Sequence, residues 1–258
     1  LAQSKEAQDY AYKRWGESYV KQKGLGFAPT QGKALTNLPI KREFLDELGL
    51  VNKGGYDQYQ GRIVIPIRSR YGNVIGFTAR SLGDEQPKYK NSAESILFHK
   101  SQVLFGIEDA WRQAAKADKF FLVEGAPDCM RMQSIGVLNC VAALGSSWNK
   151  EHFALIKKSA SKVCFLPDDD PPKRGEFFGH GIAVILAAGK LAMECGLSVT
   201  VKEIPDHDKE HKQDPDSYYQ NLNIFNAVDE VDFILWRAAK TFGTAQTTEE
   251  QRVVVREI

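Results

Sequence analysis

Long apolar runs, paired cysteines and an excess of charge of either sign are all missing from this 258-residue chain. No uninterrupted apolar stretch approaches the ~18 residues of a membrane-spanning helix, and no secretory leader is visible. The expectation is a cytoplasmic protein with no membrane partner. The four cysteines, Cys129, Cys140, Cys164 and Cys195, are widely spaced and form no CxxC pair. Three lie in or beside apolar runs, which suits reduced core thiols better than zinc ligands or a disulfide framework. A formal net charge of +1 removes any global polyelectrolyte signature, so a nucleic-acid surface would have to arise from local segregation of charge. With 43% hydrophobic and 26% charged residues, the chain is of ordinary globular composition, long enough for one large domain or two smaller ones. It begins at Leu1 rather than Met, as expected of a fragment or a processed chain.

What charge there is lies segregated. Residues 61 to 100 carry seven Arg and Lys against three acids, whereas residues 201 to 220 carry six acids against three Lys. A basic face beside an acidic pocket suits an enzyme that holds a polyanion and binds metal. Three acidic segments stand out: FFLVEGAPDC at Phe120 to Cys129, FLPDDD at Phe165 to Asp170, and QDPD at Gln213 to Asp216. Each begins with, or closely follows, an apolar run readable as a buried strand, and then turns polar. If those strands lie parallel in one sheet, Glu124, Asp168, Asp170, Asp214 and Asp216 gather outside its carboxyl edge, where open α/β sheets bind ligands. Five carboxylates there repel one another, and the natural counter-charge is a hard divalent cation, Mg²⁺ or Mn²⁺. Taken singly, each acid is equally readable as a solvated turn residue.

The runs VEGAPD, PDDD and DPD, taken together, resemble the Toprim catalytic domain of DnaG-type primases, type IA and II topoisomerases and some nucleases. Upstream, GRIVIPIRSRYGNVIGFTARSLGDEQPKYKNSAESILFHKSQVLFGIEDA resembles the segment that precedes Toprim in bacterial replicative primases, through its PIR, VIGF, PKYKNS and LFHK elements in fixed order. The resemblance implies an α/β fold: a Toprim-type, mainly parallel sheet flanked by helices, with an α+β N-terminal subdomain and a helical C-terminal segment. It places these at residues 118–220, 1–117 and 221–258 respectively. It implies Glu124, Asp168 and Asp170 as catalytic residues, and two or more Mg²⁺ or Mn²⁺ ions held by these with Asp214 and Asp216. Arg62, Arg80, Lys88, Asn91, Lys100 and Asp128 become the nucleotide- and template-binding set. The implied activity is synthesis of short RNA primers on single-stranded DNA from NTPs, with a zinc module and a replicative-helicase contact expected in regions outside this chain. One departure is visible. Where the family has Asp-Gly-Asp and a short turn, this chain has Asp168-Asp169-Asp170 followed by PPKRGEFFGHG. That leaves the role of residues 171–179 open and leans towards a phage or mobile-element origin. A Toprim-type nuclease and a non-catalytic single-strand-binding module remain as alternatives; no nucleophilic Tyr can be assigned, which argues against a topoisomerase.

Periodicity predicts a helix over 3–22, with Ala7, Tyr10, Ala11, Trp15 and Tyr19 as its apolar stripe, and a second over 40–48. Residues 62–68 and 73–79 read as a hairpin, followed by a basic loop containing Lys88, Tyr89, Lys90 and Asn91. The cations there are readable as edge protection or as phosphate contacts. Beyond a helix at 102–117, strands at 120–124, 138–143, 162–167 and 198–204 alternate with helices at 127–135, 149–158 and 180–195, which implies right-handed crossovers. Pro127 suits a first helical turn, and Ser147 or Asn149 an N-cap. A last helix is predicted over 224–240. His207 and His211 lie four apart in DHDKEH, but prolines and dense charge favour a solvated loop over a zinc site.

Overall fold

The computed structural model describes residues 1–30, 32–145, 147–205 and 213–244, which fall into two compact units, Leu1–Glu108 and Asp109–Ile258. His207 and His211 therefore lie outside the described residues. In the first unit, helices α1 (Lys5–Trp15) and α2 (Glu17–Lys23) replace the single helix expected over 3–22. The chain breaks at Gly16, whose φ of 83° is open to glycine and strained for other residues. Of the expected stripe Ala7, Ala11 and Trp15 are buried and Tyr10 and Tyr19 half-buried, while beyond the break Val20 is the buried residue of α2. Short β1 (Gly26–Phe27) and α3 (Arg42–Glu47) follow. β2 (Arg62–Arg68) and β3 (Val74–Ser81) form the expected hairpin, in which Ile63, Ile65 and Ile67 point inward at the two-residue period of a strand. β4 (Tyr89–Asn91) corrects the basic loop: Pro87 precedes the segment rather than interrupting it, and the chain pairs with β3 through Arg80↔Tyr89 and Thr78↔Asn91. The result is a four-stranded antiparallel sheet in sequence order. The helix expected over 102–117 is shorter, α4 (Ile107–Ala117), and it spans the division between the units.

In the second unit the elements run β5 (Lys119–Val123), α5 (Ala126–Ser134), β6 (Cys140–Ala142), α6 (Lys150–Lys157), β7 (Lys162–Phe165), α7 (His180–Glu194), β8 (Ser198–Val201), α8 (Pro215–Tyr218), α9 (Leu222–Ala227), β9 (Val231–Asp232) and α10 (Phe233–Thr244). The sheet order is β6-β5-β7-β8-β9; the first four strands are parallel and β9 is antiparallel. Phe120, Leu122, Val141, Val163 and Phe165 form its buried layer. Cys129, Cys140 and Cys164 are buried free thiols; burial pushes Cys164 up to about 12, far from reactivity. The helix expected over 224–240 is instead α9, a strand and α10. Glu230 supplies the reason, because it accepts hydrogen bonds from Thr200 Oγ1 (2.6 Å) and Lys119 Nζ (2.7 Å) and draws the chain alongside β8. Of the apolar residues along that stretch, Phe225 and Val228 are buried, whereas Val231, Ile234 and Leu235 are exposed.

Candidate active site

Strand order decides where this site lies. β5 is followed in sequence by β6 on one side and has β7 on the other, so the order of connection reverses between the parallel strands β5 and β7 and opens a crevice beyond their carboxyl ends. Glu124 leaves β5 and Asp168 follows β7 at that crevice. Backbone bonds tie the strand ends: Leu166 N–H donates to the Leu122 carbonyl (2.9 Å), and Gly145 N–H donates to the Glu124 carbonyl (3.1 Å). The Gly145 turn is strained, since Leu144 beside it holds a φ of 58°. A non-glycine residue there costs about 1–2 kcal/mol, a cost tolerated where a turn must place a functional group.

The third acidic segment reaches the crevice by another route. The strand expected upstream of it over 198–204 is β8; Gln213 forms an isolated two-way bridge with Asp169 (2.8 and 3.1 Å), and the chain then enters α8. Asp214 caps that helix, accepting from Ser217 N–H (2.8 Å), so one of its oxygens is committed. Asp216 follows within the first turn. Its N–H donates to Asp128 Oδ1 (3.3 Å), while Gly125 N–H donates to Asp128 Oδ2 (3.1 Å). Asp128, which the resemblance puts among the nucleotide- and template-binding residues, is thus a buried clamp between the start of α5 and α8. Burial first, then the charges of Asp168, Asp214 and Asp216, hold its carboxyl well above the usual carboxylate range. The Asp169–Gln213 bridge and the Asp216 N–H to Asp128 Oδ1 bond bring acids from three separated segments into one neighbourhood.

Arg131, one turn along α5, lies 3.3 Å from Asp216 Oδ1 and donates to the Asp216 carbonyl (3.0 Å). Gly179 and Gly181 bring α7 against the acidic run. A Cβ on Gly179 would fall 1.7 Å from the Asp170 carbonyl oxygen, and one on Gly181 would fall 2.3 Å from that of Asp168. Neither glycine has positive φ, so clearance alone demands them. Arg131, Gln213, Gly179 and Gly181 escaped the sequence reading; only the GHG at 179–181 carried any signal, and close approach of backbone to backbone is invisible in one sequence. Every donor in the cluster is a carboxylate oxygen, the chemistry a hard divalent cation requires. Among the described residues no three acids already form a ligand set around one point.

The basic candidates belong to the first unit. Arg80 sits between the rings of Tyr10 and Tyr89, at 5.1 and 5.0 Å. Tyr89 and Asn91 are two apart on β4 and Arg80 is paired with Tyr89, so all three share one face of the sheet. Lys88 is exposed just before β4, and Lys100 opens a short 3₁₀ turn in which its N–H donates to Glu94 (3.0 Å). Arg62 differs. Its side chain is 7% exposed, it donates to the Pro87 carbonyl (2.8 Å), and it holds the 85–87 turn in place. Burial and then the Arg62 charge lower the pKa of neighbouring Lys90.

A family model described as the N-terminal domain of the DNA primase catalytic core matches residues 1–111. DNA primase of Halalkalibacterium halodurans is 32% identical over 224 residues, 80% of this chain and 35% of that protein. The RNA polymerase domain of Mycobacterium tuberculosis primase DnaG matches with a TM-score of 0.80 and 27% identity, over 98% of this chain and 86% of that one. This chain belongs to the DnaG-type primase catalytic-core family. It spans about a third of the length of the curated primases it matches. The same Mycobacterium domain in complex with a double-stranded DNA matches with a TM-score of 0.78 and 26% identity, over 98% of this chain and 83% of that one. Among the described residues no helix is long and apolar enough to cross a membrane.

Proposed function

We propose that this chain is the polymerising core of a primase, joining ribonucleoside triphosphates into short RNA primers on a single-stranded DNA template. The observation that carries this reading is the convergence of three acidic segments at the switch point between the parallel strands β5 and β7, where Asp169 bridges Gln213 and the Asp216 N–H donates to Asp128. Glu124, Asp168 and Asp170 would hold Mg²⁺ or Mn²⁺, with Asp214 and Asp216 completing the donor set. Such ions, when bound, neutralise the departing pyrophosphate and lower the pKa of the attacking 3′-hydroxyl. The chain's own residues do the positioning. Asp128 fixes α8 by accepting the Asp216 N–H, Arg131 offsets the charge of Asp216, and the two glycines set how close α7 lies to the acidic run.

Arg80, Lys88, Asn91 and Lys100 supply cations and an amide for phosphates and base edges, with Tyr89 on the same face for stacking. Arg62 supports this set by holding the turn before β4. The DNA held by the Mycobacterium relative supports a nucleic-acid substrate. A nuclease would share the carboxylates, but the likeness over residues 1–111 to the primase N-terminal module favours polymerisation. The test is de novo synthesis on single-stranded DNA with labelled NTPs and Mg²⁺ or Mn²⁺. Product is expected from wild type and lost, with folding intact, in Glu124→Gln and Asp168→Asn. Metal-dependent nicking of DNA without primer synthesis would replace this reading with the nuclease.

A further inference from the structure

The segment that departs from the family pattern, Pro171 to Phe178, is a closed loop with its base on the acidic run. It leaves at Asp170 and returns at Gly179, where the two backbones touch so closely that no Cβ fits. A compact loop of this length with its ends joined is a recurrent carrier of function. Pro171 and Pro172 stiffen its outgoing arm. A tight turn then presents Arg174 and Gly175 at the tip. Glu176 N–H donates to the Lys173 carbonyl (2.9 Å), Lys173 N–H donates to Glu176 Oε2 (3.3 Å), and Gly175 takes a φ of 88°. Lys173 and Arg174 are exposed, and the Phe177 ring on the returning arm is 70% exposed.

A lone exposed aromatic is ordinary on any surface. Here an exposed phenyl ring, two adjacent cations and a stiff turn coincide on a loop rooted at Asp170. Ring and cations together match a single strand, which offers an unstacked base to the one and phosphates to the others. We propose that this loop is a nucleic-acid clamp: Phe177 stacks on an unpaired base of the strand held at the acidic edge, while Lys173 and Arg174 engage its flanking phosphates. The inference rests on the primase reading above and adds to it a contact that the family pattern lacks. The base can belong to the DNA template or to the growing RNA, and the two sources are separable.

The test measures binding of labelled oligo-dT and oligo-rU to the whole chain by fluorescence anisotropy over a salt series. Phe177→Ala is expected to weaken binding about tenfold, the lower range of one base stack. Lys173→Ala with Arg174→Ala is expected to reduce the slope of log K against log salt by about 1.4. A Phe177→Trp variant adds a local readout, and its fluorescence is expected to quench when the strand binds. Loss confined to oligo-dT assigns the loop to the template, and loss confined to oligo-rU assigns it to the product. Unchanged affinity, slope and Trp emission, with wild type binding normally, would overturn the clamp and leave the primase reading standing. Variants that alter only the Mg²⁺ dependence of synthesis would likewise overturn it, assigning the loop to charge neutralisation. Failure of wild type to bind either strand would defeat both.

Discussion

Replacing Gly181 by Ala perturbs the acidic edge without touching any acid. The added Cβ would lie 2.3 Å from the Asp168 carbonyl oxygen and 3.0 Å from Asp168 Cβ. Reaching an ordinary carbon–oxygen contact requires α7 and the acidic run to part by roughly 1 Å. Overpacking of this kind costs about 1–3 kcal/mol. Ala regains about 1 kcal/mol as the better helix former, leaving a net loss of up to roughly 2 kcal/mol. At ~2–4 °C per kcal/mol for a unit of this size, the melting temperature should fall by up to about 8 °C. The effect on chemistry is larger, because a 1 Å displacement of a catalytic group can cost about 100-fold. Gly189→Ala is the control. Its Cβ would meet the buried Phe233 ring at 2.2 Å, a comparable clash on the same helix involving none of the acids. The assays are thermal melting and primer synthesis per folded molecule. Gly181→Ala should lose both stability and activity, and Gly189→Ala only stability. If Gly181→Ala melts and synthesises like wild type, the claim that glycine clearance positions Asp168 is refuted.

Arg131→Met should destabilise by about 3–5 kcal/mol in urea titration, since it strands the buried Asp216 carboxylate among other acids; a loss under about 1 kcal/mol would show the ion pair to be incidental. The raised pKa of Asp128 means that the folded state holds its proton where the unfolded chain, with an ordinary value near 3.9, has released it. Asp128 therefore favours folding at low pH and ceases to do so as pH rises through that window. Wild type should lose stability relative to Asp128→Asn as pH rises above about 4, and a pH-independent difference in urea melts would contradict this. Arg62→Met should cost about 1–3 kcal/mol by leaving the Pro87 carbonyl unpaired, with the salt slope of single-strand binding unchanged. A slope reduced by about 0.7 would make Arg62 a phosphate contact instead.

Much of the catalytic sheet was legible because its strands are short apolar runs that end abruptly in acid. β5 into Glu124 and β7 into Asp168 both follow that rule, and alternation with helices fixed the parallel arrangement. The rule says little of Gln213 to Asp216, where a capping aspartate and a proline start a short helix and a single bridge ties the segment to Asp169. The sequence reading failed where tertiary partners overrode local periodicity. The apolar spacing of 224–240 is helical throughout, yet Glu230, bonded to Lys119 and Thr200, pulls the middle of it into the sheet. Gly16 broke the first helix through its φ, a property that a stripe of apolar residues cannot reveal. Arg62 read as a surface cation because charge segregation says nothing of burial. The site's positioning residues were beyond reach too: Arg131 acts on Asp216 from a distant segment, and Gly179 and Gly181 act through close backbone approach across the 171–178 loop.

Primer synthesis on single-stranded DNA with Mg²⁺ or Mn²⁺, compared between wild type, Glu124→Gln and Asp168→Asn, tests the central claim most directly. Short RNA products from wild type, abolished in both variants at unchanged melting temperature, are the expected result. Synthesis that survives either substitution would contradict the assignment of this carboxyl edge as the catalytic centre.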